Sequence, residues 1–107
     1  MSREKGKRGE REVAAILRRN GYEGRRGVQY HGGTDSPDVV GLPGIHIEVK
    51  RVERLDLYGA LSQAKGDAGN HMPVVFHRKN NCEWVVIQPI DDWLTIYREW
   101  EAGRDGL

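Results

Sequence analysis

A chain of 107 residues is one small domain's worth of sequence and too short for two, so a single domain over residues 1–107 is expected. Its 37% hydrophobic and 31% charged residues fit a folded protein, and no uncharged run approaches the roughly 20 residues of a membrane span. The net charge of +1 hides an asymmetry: residues 1–28 hold nine Lys or Arg against four Glu, a local +5, leaving −4 on the remainder. That division suggests a basic surface for a polyanion beside an acidic patch able to hold cations.

Arg8 through Asn20 reads as a helix, because Val13, Ile16 and Leu17 recur on one helical face and Asn20-Gly21 supplies a stop. Residues 1–7 are expected to form a mobile basic arm, with no apolar signal segment, and a cytoplasmic location follows. The lone Cys82 excludes an internal disulfide and fits a reducing compartment. Gly27 to His31 is a candidate first strand, Asp38 to Leu42 a second, and Pro43-Gly44 a turn into a third over Ile45 to Arg51. In that third strand Ile45, Ile47 and Val49 alternate with His46, Glu48 and Lys50, placing Glu48 and Lys50 side by side on the face opposite the core. Leu57, Ala60, Leu61 and Ala64 predict a helix ending near Gly66 or Gly69. Pro73–His77 and Trp84–Ile87 read as strands joined at Asn80-Asn81. Asp91 can cap a last helix carrying Trp93, Tyr97 and Trp100, a stripe assigned to the core or a subunit contact. The order describes an α/β domain with a mixed central sheet flanked by helices.

The chemistry concentrates in Pro37-Asp38 and, across the expected hairpin, Ile47-Glu48-Val49-Lys50. Two carboxylates at one sheet edge repel each other and are costly to bury unpaired, and a divalent cation resolves both problems. Hard oxygen ligands suit Mg²⁺, which keeps waters and is readily shared with a substrate phosphate. Glu10 falls on the stripe of Val13 and Leu17 and can reach toward this site, whereas Glu12 points the opposite way. A first-turn Glu can equally serve the helix dipole or pair with Lys5 or Arg8. His31, His46, His71 and His77 lack zinc-ligand spacing; His46 shares the face of Glu48 and Lys50 and is read as a surface strand residue, contact with substrate or metal-bound water being the alternative.

Three segments, Lys5-Gly6-Lys7-Arg8-Gly9-Glu10-Arg11, Ser36-Pro37-Asp38 and Glu48-Val49-Lys50, resemble in order those of the Holliday junction resolvases of archaeal and phage type, within the PD-(D/E)xK nuclease superfamily. The resemblance implies a restriction-endonuclease-like core and a prokaryotic or phage-infected host cell. It implies that Glu10, Asp38 and Glu48 hold Mg²⁺ or Mn²⁺, with the carbonyl of Val49 as a further ligand. Lys50 would then orient the attacking water and stabilise charge growing on the phosphate. It also implies an auxiliary hydroxyl before the Asp, for which Thr34 and Ser36 both qualify, and matches Gln63 to a glutamine some members carry; a solvent-facing Gln63 is the plain alternative. Lys5, Lys7, Arg8, Arg11, Arg25 and Arg26 flank this region and can contact phosphates. With no base-reading motif, branched DNA recognised by shape is the expected partner. A homodimer would match the two scissile strands of a symmetric junction. The alternatives are an endonuclease of nicks, flaps or forks, a non-catalytic DNA-binding module, and a small-molecule or protein-binding α/β domain.

Overall fold

The computed structural model describes residues 3–27 and 36–105. Within them lie α1 (Arg3–Arg19), β1 (Arg25–Arg26), β2 (Val39–Val40), β3 (Ile45–Arg51), α2 (Leu57–Ala68), β4 (Met72–Arg78), β5 (Val85–Ile87) and α3 (Ile90–Asp105). The strands form one mixed sheet in the order β1-β2-β3-β4-β5, parallel only between β3 and β4. This is the expected α/β layering.

Helix α1 starts at Arg3, not at Arg8, so Lys5 and Lys7 occupy its first turns instead of a free arm. Lys5 is anchored there by Glu53 at 3.3 Å, an attachment that no local pattern in residues 1–7 encodes. The helix ends as expected: Asn20 bonds back to the Ile16 carbonyl, and Gly21, at φ +91°, lets Tyr22 N–H reach the Leu17 carbonyl. Its Val13, Ala14 and Leu17 are buried against Val39, Ile47 and Val49, forming the core on one side of the sheet.

Most of the strand expected over Gly27–His31 lies outside the described residues. Strand β1 instead occupies Arg25–Arg26 and pairs antiparallel with β2. Between β2 and β3, Ile45 N–H returns to the Leu42 carbonyl across Pro43-Gly44, with Gly44 at φ +87°, the geometry of a type II turn. Asp56 caps α2 by accepting from Gly59 N–H at 3.0 Å, and Gly69 closes the helix at φ +60°.

Helix α2 is the crossover between the parallel strands β3 and β4, and it lays Ala60 and Ala64 on Val75. The small alanines bring it close to the second face of the sheet, which therefore is not open to solvent as simple alternation suggests. The β4–β5 hairpin turns at Asn81, φ +64°. Asp91 lies in the first turn of α3, one residue inside its start, and so is not its cap. Helix α3 has little packing on the rest of the molecule. Trp93, Tyr97 and Trp100 are 50%, 37% and 55% exposed, which removes them from the core.

Candidate active site

The β2–β3 ladder opposes Val39 and Ile47, and Asp38 N–H donates to the Ile47 carbonyl at 2.8 Å. Asp38 and Glu48 are therefore neighbours across the hairpin, on the face turned toward α2. Asp38 Oδ2 also accepts Val49 N–H at 2.8 Å, which fixes its carboxyl at the sheet edge.

Burial is the main cause that pushes the Asp38 carboxyl up to about 7, against the lowering bond from Val49. Repulsion from Glu48 and a hydrogen bond to it add to the rise, while Lys50 opposes it. Burial also raises Glu48, whereas its bond with Asp38 lowers it. A strand rim that brings two carboxyls together away from water is a place where a divalent cation can balance their charge.

Lys50 lies beside the pair and donates from Nζ to Gln63 Oε1 at 3.1 Å. Gln63 is exposed on α2, and its side chain reaches Lys50. Glu10 is close enough to raise Glu48 by repulsion, but its carboxylate accepts from Arg26 Nε at 3.0 Å. Its partner is Arg26, where the plain alternative from helical spacing was Lys5 or Arg8. Glu12, as expected, looks the other way: it accepts from Arg78 at 2.7 Å and from the Trp84 indole at 3.0 Å, tying α1 to the far strands.

The structure corrects the reading of His46. It is 2% exposed, lies under α2, and its Nε2 is hydrogen-bonded to Glu48 Oε1 at 2.8 Å. His46, Glu48 and Asp67 offer donor atoms within 4.8 Å of one another, a tight group among the described residues. The expected trio of Glu10, Asp38 and Glu48 is not that group. Asp67 was missed in the sequence, although it stands seven residues after Ala60 and four after Gln63, on the stripe that α2 turns to the sheet.

Ser36 is half-buried just ahead of the site, and Thr34 lies outside the described residues. Arg8, Arg11, Arg25 and Arg26 are exposed, and Lys7 is half-buried. The oxygen-rich donors around Asp38 and Glu48 fit a hard divalent cation, and the His46 imidazole beside them also admits Mn²⁺.

A mixed sheet whose central hairpin gathers two carboxyls and a lysine defines the class first: a restriction-endonuclease-like α/β fold. The chain matches the archaeal Holliday junction resolvase (Hjc) family over residues 1–95, and it belongs to that family of structure-selective, metal-dependent nucleases that bind DNA junctions. Among solved structures it is similar to Hjc, a Holliday junction resolvase from the archaeal hyperthermophile Archaeoglobus fulgidus. The identity is 23% and the TM-score 0.53, over 78% of this chain and 72% of that one. At that identity the likeness is one of fold. No curated protein matches the chain.

Proposed function

We propose that this chain is a Mg²⁺-dependent endodeoxyribonuclease that resolves four-way DNA junctions by paired nicks, with Mn²⁺ able to replace Mg²⁺. The observation that carries the reading is the placement of the Asp38 and Glu48 carboxyls side by side at the rim of the β2–β3 hairpin, with Lys50 alongside. Asp38 and Glu48 would hold the cation, with Glu10 and the Val49 carbonyl as the further ligands. When bound, the cation supplies Lewis-acid polarisation of the scissile phosphate and a more acidic water.

Lys50 places its ammonium where negative charge grows on the phosphate, and Gln63 restrains its side chain. Arg26 holds Glu10 turned toward β1 in the absence of DNA. Ser36 or Thr34 would supply the auxiliary hydroxyl. The exposed guanidinium groups of Arg8, Arg11, Arg25 and Arg26, together with Lys5 and Lys7, would line the path of the DNA backbone. No described helix is long and apolar enough to cross a membrane.

Two strands of a symmetric junction must be cut, and one chain offers one such hairpin. The active form is therefore a homodimer, with the exposed apolar residues of α3 as the contact.

The test is cleavage of a labelled four-way junction and matched duplex, flap and nicked DNA, each with Mg²⁺ and with EDTA. Paired, symmetric, metal-dependent nicks on the junction are expected, and they should be abolished by Asp38→Asn or Glu48→Gln with junction binding retained. Metal-dependent cutting spread over flaps, nicks and duplex would replace the junction reading with a broader endonuclease. Binding without cutting would make the chain a DNA-binding module.

A further inference from the structure

Position 46 lies on the face of β3 turned toward α2, the face that also carries the buried cluster of Ala60, Ala64 and Val75. An aliphatic residue would suit that face, and an imidazole placed there is costly unless it is hydrogen-bonded. One partner is Glu48, itself 3% exposed, and the 2.8 Å bond joins two side chains that are both nearly sealed from water. A carboxylate that holds a cation is ionised and only accepts, so in that state the ring nitrogen is the donor. The bond consumes one direction at Glu48 Oε1 and fixes the rotamer of a carboxylate that also faces Asp38. Asp67, from α2, places a carboxylate oxygen within 4.8 Å of both donor atoms and closes the third side of the ring.

We infer that His46 is the positioning residue of the site: it holds the Glu48 carboxylate in the orientation that receives the divalent cation, without itself touching substrate. The inference rests on the proposed role of Glu48. Groups that orient a metal ligand typically change metal affinity by about 10–100-fold when removed.

Two substitutions of similar bulk separate positioning from filling. His46→Leu occupies the buried space without a donor, and His46→Gln occupies it with one. The readout is Mn²⁺ binding by calorimetry to the full-length protein without DNA, beside the thermal midpoint in EDTA and junction affinity in EDTA. His46→Leu is expected to weaken Mn²⁺ binding by about 10–100-fold. His46→Gln should recover most of that loss, with junction affinity in EDTA unchanged in both. Glu48→Gln is measured in parallel.

If His46→Leu binds Mn²⁺ like the wild type while Glu48→Gln does not, the positioning role is wrong and the metal reading stands. Equal losses in His46→Leu and His46→Gln would also overturn it, because the donor would then be irrelevant. Undetectable Mn²⁺ binding by the wild type, or unchanged binding by Glu48→Gln, would overturn the reading of Glu48 and this inference with it.

Discussion

Asp38 carries the clearest single-residue consequence of burial. Its carboxyl is near the usual value of 3.8 when unfolded and is raised to about 7 in the metal-free fold. Between those values the folded state holds a proton that the unfolded state has released, so stability falls as pH rises from about 4 to about 7 and stays lower above that. Integrated over the shift, the effect is at most about 4 kcal/mol, and less where solvent reaches the rim. Urea unfolding in EDTA at pH 5 and pH 8 should therefore show Asp38→Asn gaining on the wild type as pH rises. An equal difference at both pH values would mean that Asp38 is ionised throughout that range and that burial does not raise it. Asp38, Glu48 and Lys50 were legible in the sequence because period-two alternation and a tight turn fix which residues of a hairpin are neighbours. His46 was misread for a reason of packing: alternation assigns it to a face, but only the close seat of an alanine-lined helix shows that the face is sealed.

At the scale of the element, glycine has opposite meanings in two helices. A Cβ added to Gly9 would lie 2.8 Å from Arg51 Cβ and 3.2 Å from Val49 Cγ1, so α1 rests on β3 through the missing side chain. Gly66 in α2 faces open space. Gly66→Ala should stabilise the protein by about 1 kcal/mol through helix propensity alone. Gly9→Ala gains the same propensity but forces the strand away, and the net should be a loss of about 1–3 kcal/mol. Urea midpoints of the two variants decide it, and a stabilising Gly9→Ala would show that α1 can lift from β3 freely. The strands of the β3–α2–β4–β5 region were legible nearly to the residue, since apolar runs between Gly, Pro and Asn signals leave little choice. The start of α1 was not, because its first turns are held by Lys5 reaching Glu53, a contact 48 residues away in sequence. The docking of Glu12 onto Arg78 and Trp84 depends on similar long-range pairing.

Across the whole molecule, the β2–β3 hairpin is covered by β1 on one side, while β5 and α3 stand at the opposite edge of the sheet and leave their apolar residues uncovered. Trp93 stacks on Tyr97 at 5.5 Å, Trp100 tilts onto Tyr97 at the same distance, and the Arg104 guanidinium lies 4.9 Å over Trp100. Ile90 and Val86 extend this patch onto the edge strand. A contiguous apolar surface of this kind marks a protein contact. The carboxylates of Asp91, Asp92, Glu99 and Glu101 on the same helix set it against a DNA backbone. Two copies joined through α3 would point their hairpins outward, one to each of the two scissile strands of a junction. Light scattering should then give a dimer for the wild type and a monomer for the double variant carrying Trp93→Glu and Trp100→Glu. The double variant should keep its Mn²⁺ site but lose simultaneous cutting, releasing singly nicked junctions that dissociate before the second strand is reached. A wild-type monomer that still makes paired nicks, or a double variant that remains dimeric, would move the contact away from α3 and leave the aromatic stripe to another partner.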